Sequence, residues 1–104
     1  MFKKNKYKIF YICTPLVIIS FFINFYVASK GVFPVDTFIH YDFGYRILLG
    51  DDPVKDYWIV HGFIIDYIQA IFFKVFGNNW YSYVIHSSLF NAVISISSYS
   101  IFRR

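Results

Sequence analysis

Two long apolar runs bracket a mixed middle. Ile9 to Ala28 is twenty residues without a charge. At 1.5 Å per residue such a helix reaches roughly 30 Å, the thickness of a bilayer's hydrocarbon core. Pro15 falls in its first third, where a missing N–H can kink a helix. Thr14, Ser20 and Asn24 are polar positions that a helical neighbour can satisfy. Trp80 to Phe102 is twenty-three residues without a formal charge, opened by Trp80, Tyr81 and Tyr83 as an interfacial aromatic belt. Its middle is rich in serine (Ser87, Ser88, Ser95, Ser97, Ser98), and small hydroxylated residues let helices approach closely. The pattern predicts transmembrane helices over 9–29 and 80–102, the second with helical neighbours.

The competing reading of the first run is a signal peptide, with a basic start and Val27-Ala28-Ser29 as the cleavage site. Apolar cores of such peptides run to about 7–15 residues. This run is longer, so an uncleaved span is expected.

Residues 30–79 carry the turn punctuation: Gly31 with Pro34, Gly50 before Asp51-Asp52-Pro53, Gly62, and Gly77-Asn78-Asn79. Between the first two breaks, 36–49 predicts an amphipathic helix. On a wheel, Phe38, Tyr41, Tyr45, Leu48 and Leu49 fall in one arc of about 100°. Asp36, His40 and Gly44 follow at four-residue spacing on the opposite side. A second helix is expected over 63–76, with Ile64, Ile65, Ile68, Ile71, Phe72, Val75 and Phe76 as its apolar stripe. Asp66, Gln69 and Lys74 occupy its other arc. Fourteen residues reach only about 21 Å, and Asp66 and Lys74 would each cost about 2.5–3.5 kcal/mol near a bilayer centre. The pattern therefore predicts two juxtamembrane helices lying in the interface.

Composition sharpens this picture. The 104 residues are 58% apolar, 25% aromatic and 15% charged, with a mean hydropathy of +0.49. A chain this short buries the smallest share of its surface. That much apolar surface excludes a soluble monomer, and the hydrophobicity excludes disorder. The net charge is +4, concentrated in Lys3, Lys4, Lys6 and Lys8 at the start and Arg103 and Arg104 at the end. All six acids are aspartates and lie between. Terminal basic clusters read as cytoplasmic anchors, not as the interleaved basic-aromatic surface that binds nucleic acid. Two spans put both clusters on one side; three would put the arginine pair outside. The expected layout is a basic cytoplasmic tip at 1–8, an extracytoplasmic loop over 30–79 and a cytoplasmic end at 103–104, in the cytoplasmic membrane. Cys13 stands alone in an apolar run and makes no internal disulfide or zinc knuckle.

One stretch resembles a family. Gly50-Asp51-Asp52-Pro53-Val54-Lys55-Asp56-Tyr57-Trp58-Ile59-Val60-His61-Gly62 is similar to a segment of the form G-x-x-P-Y-x-D-F-x-x-x-H-G. That segment lies in the first outer loop of GT-C-type membrane glycosyltransferases, the protein mannosyltransferase and aminoarabinose transferase type. The preceding acid at Asp36, the helix ending at Gly50 and the helix ending in Phe76-Gly77 fit the same layout. The resemblance covers nearly the whole chain and the beginning of such an enzyme. It implies an N-terminal fragment: first span, first outer loop and second span of a polytopic enzyme using a polyprenyl-phosphate-linked sugar, inactive alone. It names no sugar, carrier lipid or acceptor, and fixes no cofactor.

The family's acidic pair maps onto Asp36 and Thr37, so only the first acid is present. The resemblance implies that Asp36 is the general base on an acceptor hydroxyl; the residue chemistry alone favours a helix N-cap. Arg46 is a candidate phosphate ligand or, with Asp42 four residues earlier, a surface ion pair. Asp56 and His61 are candidate substrate contacts or loop-fixing groups. Asp36 and His40, one turn apart, are too few to define a metal site, and no metal ligands are assigned. His86 is expected at a helix–helix contact. Trp58 and Trp80 are expected as interfacial anchors. The expected partners are the bilayer, a polyprenyl-phosphate sugar, and further membrane helices or a partner membrane protein. The alternative from a different class is a small non-catalytic membrane protein packed against a larger membrane partner. No phosphate-cradling glycine loop, nucleophile elbow or metalloprotease helix is present.

Overall fold

The structure, a computed structural model, describes residues 2–31 and 36–103, with side chains from Lys8 onward. The side chains of Lys3, Lys4 and Lys6, and all of Pro34 and Arg104, lie outside the described residues. The described chain is helical, with no strand: α1 (Phe2–Ser29), α2 (Asp36–Leu49), α3 (Ile64–Phe76) and α4 (Trp80–Phe102).

Two of these helices are long and apolar enough to cross a membrane, Lys8–Ser29 within α1 and Trp80–Phe102. α1 continues through Pro15. Pro15 lacks the N–H that would reach the Tyr11 carbonyl, and the hydroxyl of Thr14 donates to the neighbouring Phe10 carbonyl at 2.8 Å.

α1 and α4 pack antiparallel along a polar seam. Ser95 Oγ donates to Ser20 Oγ at 2.8 Å, and Asn24 Nδ2 donates to the hydroxyls of Ser87 and Ser88 at 3.1 and 3.2 Å. Trp80 Nε1 donates to the Ala28 carbonyl at 3.0 Å and closes one end. At the other end Lys8 and Arg103 line one shallow cleft, so the two helices return the chain to its starting level. The serine-rich middle of α4 thus meets the helical neighbour that its composition calls for. In an apolar medium such bonds average about 0.6 kcal/mol each.

α2 and α3 form a second unit beside the Trp80 end, and it is built inside out. The residues of α3 that are buried are Asp66, Gln69, Ala70 and Phe73. Its apolar stripe faces outward: Ile64 is 65% exposed, Ile71 59% and Val75 68%. In α2, Gly44 is buried, while Phe38 and Leu49 are exposed. The line His40–Gly44, set opposite the apolar arc on the wheel, is the face that meets α3. The cause is steric. A Cβ on Gly44 would stand 2.6 Å from Gln69 Cγ and 3.2 Å from Phe73 Cε2, so only glycine lets the Gln69 turn of α3 come this close. Tyr41 packs edge-on to Phe73, centroids 4.9 Å apart, and its hydroxyl donates to Asn78 Oδ1 at 3.1 Å.

The helices end where the punctuation stands. Gly50 and Gly77 have positive φ, 99° and 86°. Asn79 caps α4, its side chain accepting from Ser82 N at 3.0 Å, an arrangement worth about 1 kcal/mol.

Gly44→Ala is expected to destabilise the α2–α3 unit by about 1–3 kcal/mol through overpacking. Gly62→Ala, whose Cβ would meet nothing within 4 Å, should stay within about 0.5 kcal/mol. Thermal unfolding in detergent micelles, followed by circular dichroism, distinguishes the two.

Candidate functional site

The pairing of polar helix faces concentrates charge and imidazole in one place. Asp66, in the first turn of α3, has no exposed surface. His61, on the loop before α3, donates from Nε2 to Asp66 Oδ1 at 2.9 Å and lies 3.1 Å from Oδ2. His40, from α2, places Nδ1 3.6 Å from Asp66 Oδ1. That atom is buried and has no hydrogen-bond partner. The two imidazole rings meet edge to face at 4.2 Å, and Phe43 stacks on His61 at 5.5 Å. Phe43 also contacts Tyr57 at 4.7 Å. A buried carboxylate is costly unless paired, and here its ion-pair partners among the described residues are the two histidines.

A second polar group stands beside this one. His86 Nδ1 donates to Gln69 Oε1 at 2.6 Å, and its ring lies between Phe72 at 5.0 Å and Phe90 at 4.9 Å. His86 is thus a contact between α3 and α4, the role expected of it. Gln69 Nε2 is left without a partner.

An open cleft of roughly 280 Å³ runs from His40 along α4. Asn24, His86, Ser87 and Asn91 supply its polar wall; Ile65, Tyr83, Phe90 and Ile94 supply its apolar one.

The loop before α3 is fixed by its own polar groups. Asp56 Oδ2 accepts from Asp52 N at 2.7 Å, and Val54 N donates to the Tyr57 carbonyl at 3.1 Å. This tight turn holds Val54 at φ 78°, a region a β-branched residue rarely occupies. Tyr57 has a buried hydroxyl with no partner. Burial first, and the Asp66 charge second, push its pKa up to about 12.

The remaining residues singled out in the sequence stand apart. Asp36 is exposed at the first position of α2, one turn and about 6 Å of helix rise before His40. Arg46 Nε donates to Asp42 Oδ2 at 2.9 Å, Nη1 lies 3.9 Å from Asp51, and the guanidinium sits over the Tyr57 ring. The bond to Asp42 and then its charge raise the Arg46 pKa. Of the four candidates, only His61 lies in the buried centre. Sequence reasoning missed His40 and Asp66 as its companions. The signal was a histidine five residues before an aspartate across a helix start, which brings both back onto one side.

Comparison with known protein families, curated proteins and solved structures finds no match for this chain. The functional reading therefore rests on the geometry.

Asp66→Ala leaves His61 Nε2 without its acceptor, and is expected to cost about 1–3 kcal/mol, the range for an unsatisfied buried donor. Thermal unfolding in micelles reads it. The raised Tyr57 pKa adds a pH dependence. Its folded value lies above the unfolded value of 10, so the folded state holds the phenolic proton more tightly. The associated stability is present below pH 10 and lost as pH rises towards 12. Tyr57→Phe should flatten the melting temperature across that window.

Proposed function

We propose that this chain is a membrane-embedded, lipid-substrate module of a GT-C-like glycosyltransferase, handling a polyprenyl-phosphate-linked sugar. The observation that carries the reading is the inverted α2–α3 unit. Its polar faces meet, its apolar faces point outward, and it sits at one end of a hairpin of two span-length helices. Outward apolar stripes are what a helix pair lying in a bilayer interface presents to lipid. A polar centre at that depth adjoins a cleft with one polar and one apolar wall. Such a cleft suits a substrate with a charged head and a hydrocarbon tail.

In this reading α1 and α4 span the membrane, both termini are cytoplasmic, and α2, α3 and their loop form the outer interfacial layer. The bonds of its last turns to α4 through Asn24 and Ala28 support α1 as a retained span rather than a cleaved leader. Asp36, accessible on the His40 side of α2, serves as general base on the acceptor hydroxyl. Arg46, Asp56 and His61 shape the donor's polar surroundings, the last from within the buried centre. The family likeness of the 50–62 segment, with its Asp56 and His61, adds support from the sequence side.

The alternative is a small membrane protein that packs against a larger partner and does no chemistry. It is favoured by the threonine at position 37, which leaves Asp36 without a second acid.

One experiment tests the orientation and a second decides between these readings. A cysteine placed at residue 52 should react with an impermeant thiol reagent in intact cells, and one at residue 2 should not; the reverse pattern overturns the orientation. Sugar transfer from a polyprenyl-phosphate donor, in membranes expressing the whole reading frame that contains this chain, should fall about 10²–10⁴-fold for Asp36→Asn. Thr37→Ala should leave it nearly unchanged. Full activity in Asp36→Asn reduces that residue to a helix-terminal acid, whereas no sugar transfer by the unaltered reading frame favours the partner-packing alternative.

A further inference from the structure

We propose that His40, His61 and Asp66 form a binding site for one divalent cation of the zinc class. The ligands are His40 Nδ1, His61 Nε2 and a carboxylate oxygen of Asp66, with a fourth position left for water or an oxygen ligand. This inference stands apart from the sugar-transfer reading, because it concerns binding alone.

The geometry carries it. One donor atom from each residue lies within 4.8 Å of the others. Zinc bonds to nitrogen and oxygen are about 2.0–2.2 Å, so tetrahedral ligands stand about 3.3–3.6 Å apart. The separations of 2.9 Å for His61 Nε2–Asp66 Oδ1 and 3.6 Å for His40 Nδ1–Asp66 Oδ1 bracket that range. The two separations to Asp66 need shifts of only a few tenths of an ångström to meet it.

Two independent observations point to a cation in this place. Asp66 has no exposed surface, yet no fixed positive charge among the described residues pairs with it. Neutral imidazoles leave its charge uncompensated, and a divalent ion compensates it directly. His40 Nδ1 is buried without a hydrogen-bond partner while aimed at the same carboxylate. A lone pair on that atom is unused unless a proton or a metal takes it.

The donor set selects the metal. Two imidazoles and one carboxylate are a three-protein-ligand zinc set, the kind that keeps an open coordination position. Magnesium and calcium prefer oxygen shells and would gain little from the imidazoles. Binding would free the His61 Nε2 lone pair for the metal, with the ring's proton carried on Nδ1 instead. The ring contacts from Phe43 and between the two imidazoles already hold the ligands in orientation.

The test uses the untagged full chain in phosphatidylcholine nanodiscs. The wild type is expected to retain one Zn²⁺ per chain after desalting, undiminished by excess Mg²⁺. Co²⁺ should give the intense visible absorption of a tetrahedral site. His40→Gln, His61→Gln and Asp66→Asn should each weaken Zn²⁺ binding by more than tenfold, since losing even an outer-shell partner costs about 10–100-fold. Asp51→Asn should bind as the wild type does. Substoichiometric retention by the wild type overturns the proposal, as does unchanged binding in a His40→Gln/His61→Gln double variant. X-ray absorption of the zinc-loaded wild type guards against variants that fail to fold. An imidazole-containing nitrogen and oxygen shell supports the site, and an all-oxygen shell overturns it.

Discussion

The carboxylate of Asp66 is the constraint from which the rest of the α2–α3 unit follows. It lies in the first turn of α3, where the helix dipole favours an anion, and it is fully buried. A buried charge demands partners. His61 reaches it from the loop and His40 from α2. To bring His40 there, α2 must turn its polar line inward, and the glycine one turn later lets the two helices close over Gln69. Once the polar faces are committed to each other, the apolar stripes have nowhere to go but out. The inverted unit is thus the consequence of one buried acid and one missing side chain.

The same logic links that unit to the hairpin. Gln69, brought inward beside Gly44, accepts from His86 of α4. Trp80 ties the start of α4 to the end of α1 and lies near Tyr41 of α2. Trp80 thus belongs both to the seam and to the contact with α2.

Much of this was legible in the sequence. Two uncharged runs of spanning length, glycine-bounded helices between them and a serine-rich α4 all follow from pattern, because chain length and punctuation are local properties. The Asp42–Arg46 pair was legible for the same reason, being one turn apart on one helix. The polar centre was not. A wheel shows that Asp66 and Gln69 share an arc and that His40 and Gly44 share another, but it cannot say whether a polar arc meets water or another polar arc. Convention assigns it to water. Here two such arcs meet, 26 residues apart in the chain between His40 and Asp66, and only the tertiary arrangement reveals it. His61 was singled out through its segment, without the companions that give it a chemical role.

The α1–α4 seam has a consequence for the order in which the chain matures. Its hydrogen bonds join residues far apart in synthesis: Ala28 with Trp80 across 52 positions, Asn24 with Ser87 across 63, and Ser20 with Ser95 across 75. A ribosome adding about 5–20 residues per second takes several seconds to cover such distances. If α1 enters lipid as it emerges, Ser20 and Asn24 wait there with no α4 to receive them. The first helix is then a half-finished surface, whose amide and hydroxyl find their partners only when α4 follows.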